Sequence, residues 1–378
     1  MNFGAFSALS VRNFLFWLSR KIDYPLTPPD IVQVNFTFQC NLKCSMCSMH
    51  EQKDFLLEQG RPTEIDPETF KKIIRETKKL GVKSILLIGG EPFVSENIFW
   101  FAKEARAQGI TPIVITNGTL LKEENILKCC EAGICNLGIS MDAATESGFD
   151  KIRGSGAFKQ VIENIERIND LKDRKKALDL DIRVTTTIMN SNLEELMEIV
   201  HMCRRLRISH LSFQPVVVNN TDQSSRDSHS DLLVPFERFK TLDRAIDGLL
   251  AYKQSSSDNF HFITNDIKHL KLIREYFKGN FKAIQRPCYA GYNRLQVTQD
   301  HRVYFCIPPN KKYDASFGDV KKSTLRGLWF SKDARIRRKL IRKCKVPCLQ
   351  ACSYRDDFLE WTSVFQKFFI NKKKSVDF

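Results

Sequence analysis

The sequence predicts an α/β protein: a partial (β/α)6 TIM-type barrel followed by a small C-terminal α+β extension. Three observations predict it. Apolar, β-branched runs alternate with helical stretches through residues 31–214, which implies parallel strands joined by right-handed crossovers. Six such strands can be counted, too few for a complete eight-stranded barrel. Cysteine, already clustered near residue 40, then returns in spaced positions between Cys288 and Cys352.

The elements follow in order. Ile31 to Phe38 is apolar, β-branched and aromatic, the pattern of a buried strand. Asp66-Pro67-Glu68 reads as an N-cap, a first-turn proline and an acid, starting a helix that runs to Leu80 and stops at Gly81. Strands are expected at 84–88, 112–116, 134–140, 180–188 and 208–214. Helices are expected at 95–108, 122–132, 157–171, 193–206, 234–252 and 265–277. The polar stretch 219–231 reads as a linker. Alternation around Leu295, Val297, Val303 and Phe305 predicts a β-hairpin turning near Gln299-Asp300-His301. The chain divides into an N-terminal helical extension (1–29), a core barrel (30–218), a linker with helices completing the core (219–284), the cysteine-rich extension (285–355) and an aromatic and basic tail (356–378).

Composition narrows the classes. At 378 residues and 42% hydrophobic content, the chain can bury a large core. No apolar stretch reaches the length of a spanning helix, and Phe3 to Leu18 lacks the n-region and cleavage site of a secretory signal. The net charge of +15 favours anionic partners, but no RNA-binding signature appears, so no nucleic acid is expected. Of twelve cysteines, eight fall in two spaced groups, which argues for a reducing cytoplasm rather than disulfides. Cys129, Cys130, Cys135 and Cys203 lie in helical or strand patterns and read as small buried hydrophobes. The terminal segments, Phe3 to Leu18 and Phe358 to Lys374, place aromatics beside basic residues. They predict either packing on the barrel or peripheral contact with an anionic membrane.

The most informative run is Cys40-x3-Cys44-x2-Cys47, on a loop leaving the first strand. Three thiolates can hold three irons of a cubane and leave the fourth open to a ligand. A zinc knuckle or redox pair is the alternative, with His50 available as a fourth ligand. The spacing resembles the signature of the radical S-adenosylmethionine (SAM) superfamily. That resemblance implies a [4Fe–4S] cluster whose open iron chelates SAM. Reductive cleavage to a 5′-deoxyadenosyl radical then abstracts hydrogen from substrate.

Further motifs fall where the resemblance requires them. Gly89-Gly90-Glu91-Pro92 ends the second strand and is similar to the family's GGEP motif, implying that backbone groups and the acid meet the SAM amino group. Thr116 and Asn117 end the third strand, and Ser140 and Asp142 the fourth; both resemble the family's polar contacts to SAM. Arg153 is implied either to meet the SAM carboxylate or to form a structural ion pair. Met46 stands where an aromatic residue is common, and is adaptable enough to cover adenine. Ala143 follows Asp142 where glycine is frequent in the family.

Cys288, Cys306, Cys344, Cys348 and Cys352 are ordered as in the family's auxiliary-cluster extension, SPASM, or its shorter form, twitch. The resemblance implies one auxiliary [4Fe–4S] cluster on Cys288, Cys306 and two of the other three; zinc is again the alternative. His301 replaces the usual hairpin glycine. The expected enzyme oxidises, epimerises or rearranges a small molecule, a carbohydrate or cell-envelope precursor among the candidates, lipid-linked if the membrane reading holds. A flavodoxin or ferredoxin type of reductant is implied. The alternatives are a peptide- or protein-modifying maturase and a non-enzymatic iron–sulfur electron carrier.

Overall fold

The computed structural model describes residues 3–175, 180–217, 232–306, 315–346 and 348–349. Nine strands occupy them: β1 (Ile31–Thr37), β2 (Ser84–Gly89), β3 (Thr111–Thr116), β4 (Asn136–Ser140), β5 (Asp181–Ile188), β6 (His210–Pro215), β7 (Arg294–Thr298), β8 (Arg302–Tyr304) and β9 (Gly318–Asp319). They form one open sheet, β6-β5-β4-β3-β2-β1-β7-β8-β9. The first six run parallel, each beside its sequence neighbour, as a partial (β/α)6 barrel requires.

The helices between them are α1 (Phe3–Ile22), α2 (Met49–Glu58), α3 (Pro67–Lys79), α4 (Ile98–Ala107), α5 (Glu123–Glu131), α6 (Glu146–Arg153), α7 (Ala157–Lys175) and α8 (Leu196–Arg205). In α3 the Asp66 side chain accepts from Thr69 N at 2.8 Å, and Gly81 stops the helix at φ +84°. The helix buries Phe70, Ile73, Ile74 and Thr77, one face at i, i+3, i+4 and i+7. Phe70 stacks on Phe101 of α4 at 3.8 Å, and Phe101 meets Phe36 of β1 edge-on at 5.3 Å. Val32, Val34, Ile85, Leu87, Val114 and Leu137 complete that side of the sheet at 0% exposure.

The alternate residues face the concave side. Gln33, Asn35, Ser140, Thr185, Thr187, Ser212 and Gln214 fall on this face together with Leu86, Ile88, Ile113 and Ile115, and Ile115, near the C-terminal end of β3, is 42% exposed. An exposed isoleucine on an inner strand means that this face is open, a chamber of mixed polar and apolar lining rather than a second core.

The hairpin β7–β8 pairs antiparallel, with Gln296 opposite Tyr304. Its three-residue turn places His301 at φ +70°, the left-handed position that ends such turns and usually selects glycine. Thr298 O accepts from His301 N at 2.9 Å and closes it. Beyond the sequence expectation, β7 also pairs parallel with β1, from Ile31↔Arg294 to Asn35↔Thr298. The cysteine-rich extension therefore continues the core sheet.

The N-terminal segment packs on this extension. Phe16 is 1% exposed against Tyr289 and Tyr292, Arg12 pairs with Asp30 at 2.5 Å, and Arg20 donates to the Cys288 carbonyl at 3.2 Å. Cys129 and Cys203 are buried at 0%, whereas Cys130 and Cys135 are half-buried. Among the described residues no helix is long and apolar enough to cross a membrane. The linker 219–231, Cys352 and the tail 356–378 lie outside the described residues.

Candidate functional site

The C-terminal edge of the parallel strands carries the first cysteine group. The loop from Phe38 to Ser48 leaves β1 and is pinned on several sides. Phe38 N donates to Thr63 O, Ser45 N to Ile152 O, and Cys47 N to Cys44 O, at 2.8–3.0 Å. His50, on α2, bonds the Leu42 carbonyl through Nε2 at 2.7 Å; a carbonyl only accepts, so this nitrogen carries the proton and is not a metal donor.

Gly89 and Gly90 hold this loop against β2. Gly90 N donates to Thr37 O and Glu91 N to Gln39 O, both at 2.8 Å. A Cβ on Gly89 would fall 2.1 Å from Thr37 O, and one on Gly90 the same distance from Gln39 O. The paired glycines are thus required by the crossing of two backbones beneath Cys40, whatever they also offer a ligand.

Glu91 is 0% exposed. Its Oε1 accepts from Thr116 Oγ1 at 2.7 Å and Phe93 N at 3.1 Å, and its Oε2 from Asn117 N at 2.7 Å. Burial pushes the carboxyl above its ordinary range, against those hydrogen bonds. A side chain so enclosed does not fit the expectation of direct pairing with an ammonium. It is a post that fixes the ends of β2 and β3. Asn117 turns likewise to the cysteine loop: its Nδ2 donates to Asn41 Oδ1 and Asn41 Nδ2 to Thr119 Oγ1, both at 2.9 Å. Asn41 was not singled out from sequence; its place between two cysteines was the available signal.

Asp142, after β4, is also 0% exposed. Its Oδ2 accepts from Arg153 Nε at 2.8 Å and Nη2 at 2.5 Å, and its Oδ1 from Thr187 N at 2.7 Å. The enclosure ties Asp142 to Arg153 and the β5 backbone, and the ion pair expected as one reading of Arg153 is present. Arg153 Nη1 lies 3.9 Å from Cys44 Sγ, linking β4 to the cysteine loop through α6. Two further residues missed by sequence reasoning brace this corner. Asn192 Nδ2 donates to Asp142 O at 2.7 Å, and Glu195 Oε2 accepts from Ala144 N and Thr145 N at 2.8 and 2.9 Å. Ser140 is half-buried at the strand end, and Met46 packs partly against the core beside Cys47.

The three thiols feel one another's charge. Burial pushes Cys44 up to about 11, with Cys47 and Cys40 adding to the rise and Arg153 opposing it. Among the described residues, no three His, Cys, Asp or Glu side chains converge as ligands of a single ion do. A cubane takes its thiolates on separate irons, and a set of three thiols without a fourth described ligand matches that donor chemistry.

The second group lies at the opposite strand edge. Cys288 precedes β7, and the antiparallel return of β8 carries Cys306 back toward Arg294. Burial pushes Cys288 up to about 11, with Cys348 and Cys344 adding to the rise. The structure thus brings Cys344 and Cys348 to Cys288. Seven residues of β1 separate the two edges, roughly 20 Å at about 3.3 Å per residue.

Comparison with known proteins agrees with this geometry. Residues 34–203 match the radical SAM superfamily, and residues 288–353 match an iron–sulfur cluster-binding domain of the SPASM type. An AdoMet-dependent heme synthase of Methanosarcina barkeri is 24% identical, covering 82% of this chain and 84% of its own. A GTP 3′,8-cyclase of Aquifex aeolicus is 22% identical over 84% of this chain and 95% of its own. Among solved structures, Streptococcus suis SuiB bound to precursor peptide SuiA superposes with a TM-score of 0.63 at 17% identity, covering 85% of this chain and 69% of that one. Native anSMEcpe with bound AdoMet gives 0.61 at 17% identity over 90% and 96%.

Proposed function

The chain belongs to the radical SAM superfamily and carries its SPASM extension, and from this premise we propose that it oxidises or rearranges a small polar substrate held between two iron–sulfur sites. Membership brings a SAM-binding [4Fe–4S] cluster and an auxiliary iron–sulfur cluster. When bound, cluster and SAM supply a one-electron cleavage that yields a hydrogen-abstracting carbon radical.

Cys40, Cys44 and Cys47 would hold the first cluster. Cys288, Cys306 and two of Cys344, Cys348 and Cys352 would hold the second. The remaining residues position and exclude. Gly89 and Gly90 seat the cysteine loop on β2. Glu91 and Asp142 fix the strand ends around it. Arg153 sets a fixed positive charge beside Cys44, favouring the thiolate over the thiol. Met46 offers an adaptable apolar surface to a base.

One observation carries the reading: the concave face between the two cysteine groups is open and mixed in lining, with polar residues on β1, β4, β5 and β6 flanking Leu86, Ile88, Ile113 and Ile115, the last 42% exposed. A small hydrogen-bonding molecule suits such a chamber. An auxiliary site at its far end suits a reaction that removes an electron from the substrate.

The test incubates anaerobically reconstituted protein and SAM with fractions of extract from cells grown in heavy water. Deuterium should enter 5′-deoxyadenosine with a small-molecule fraction that survives protease. Label that vanishes with protease would point to a peptide substrate. No cleavage with any fraction would leave an electron carrier.

A further inference from the structure

Strand β7 carries two polar side chains, each with a buried atom that has no hydrogen-bond partner among the described residues. Arg294 is 5% exposed and Gln296 7%. Their companions Leu295 and Val297 face the core, so Arg294 and Gln296 face the concave chamber. Arg294 Nε and Gln296 Oε1 are both buried with no hydrogen-bond partner. No carboxylate pairs with the Arg294 guanidinium among the described residues. Every other arginine of comparable burial is engaged: Arg153 by Asp142, and Arg338 by the carbonyls of Gly291 and Trp329.

A buried cation without a counter-charge costs free energy that a fold ordinarily avoids. A buried acceptor two residues along the same face, also unsatisfied, doubles the anomaly. Gln33 of β1 stands directly opposite Gln296 and is 9% exposed; its Nε2 is committed to Asn35 Oδ1 at 3.0 Å. Arg294 also sits close enough to Cys288 for its charge to lower that thiol. The unpartnered pair therefore lies in the chamber wall beside the second cysteine group.

We propose that Arg294 and Gln296 form the anion-binding end of the substrate site. Arg294 takes a carboxylate or phosphate of the substrate, and Gln296 Oε1 accepts from a hydroxyl or amine of the same molecule. A guanidinium matches both oxyanions through paired N–H donors. The substrate class is thus an anion that also carries a donor group, held at the edge of the chamber remote from the SAM site. This deepens the reading of the chamber as a substrate site and rests on it.

The experiment uses reconstituted protein with SAM and two fragment probes, glycerol 3-phosphate and glycerate, with inorganic phosphate as a control, followed by calorimetric titration and thermal melting. At least one probe should bind the wild type, and which one binds better separates phosphate from carboxylate. Arg294→Gln should weaken that binding at least tenfold with iron content retained. Gln296→Leu should weaken glycerol 3-phosphate but spare inorganic phosphate. Without any probe, Arg294→Gln should melt at the wild-type temperature or above, because it removes a buried charge with no carboxylate partner among the described residues. Equal binding of both probes by wild type and Arg294→Gln, or a lower melting temperature of the probe-free variant, overturns the proposal. Wild-type protein that binds a probe but never cleaves SAM would instead sink the enzymatic reading and leave the anion site standing.

Discussion

Arg153 donates to Asp142 through Nε and Nη2 at 2.8 and 2.5 Å and reaches the Cys44 sulfur with Nη1 at 3.9 Å. One buried guanidinium thus ties the end of β4 to the cluster loop on β1. The link passes over β2 and β3, so it fixes the width of the site and not only its charge.

Breaking that tie from one side should be costly. Asp142→Asn leaves the Arg153 cation enclosed without its counter-charge, an expected loss of about 3–5 kcal/mol. Chemical denaturation of the anaerobic protein measures it. The double variant Asp142→Asn/Arg153→Met should lose clearly less than the sum of the single changes, since neither charge is then stranded. Additive losses would show that the pair is not coupled.

Replacing Cys40, Cys44 and Cys47 together by Ala should lower bound iron from about eight to about four atoms per chain, as two cubanes become one. Reductive cleavage of SAM should disappear with it. Iron assay and chromatography of 5′-deoxyadenosine read both outcomes, and cleavage that persists refutes the assignment.

Glu91→Gln tests a post against a direct ligand. The amide nitrogen must face one of the Phe93, Thr116 or Asn117 donors, so a buried group goes unsatisfied at about 1–3 kcal/mol. Stability and SAM affinity should fall together, as equilibrium dialysis and melting would show. Weakened SAM binding with stability unchanged would restore the direct contact.

Asp66 caps α3 and also accepts from Lys321 at 2.9 Å, joining the helix to the extension. Partial burial opposes its ionisation, but the Thr69 hydrogen bonds and Lys321 win and hold it below the usual carboxylate range. A carboxyl depressed in the folded state adds stability above the unfolded value and loses it as pH falls. Asp66→Ala should cost about 1 kcal/mol at neutral pH, mostly from the cap. The gap from wild type should narrow below about pH 4. A gap independent of pH would contradict the ionised cap.

His301 occupies the left-handed region at φ +70°. His301→Gly should be more stable than His301→Ala by about 1 kcal/mol, because both lose the contact with Asp66 and only alanine keeps the backbone strain. Paired melting curves decide it; equal stabilities would place the strain elsewhere.

The six parallel strands were legible because each pairs with its sequence neighbour and its apolar run is local. Both cysteine groups were legible from spacing. Helix α2 was not, because Met49–Glu58 is mostly polar and buries only Leu56. The β1–β7 pairing joins residues more than 250 positions apart, and no local pattern announces it. The enclosure of Glu91 and Asp142 was hidden for a related reason. Which side of a strand end a carboxylate faces depends on partners such as Thr187 and Asn117, which come from other strands.

The pairing of β7 with β1 bears on how the chain can be divided. Shortened before residue 285, it would present β1 as a bare edge with its outward N–H and C=O groups unmatched. That strand is largely apolar and its free edge can pair with a second copy, so the shortened protein should self-associate rather than stand alone. The C-terminal quarter is therefore less an accessory added to a finished catalyst than the selvedge that keeps its sheet from unravelling into its neighbours.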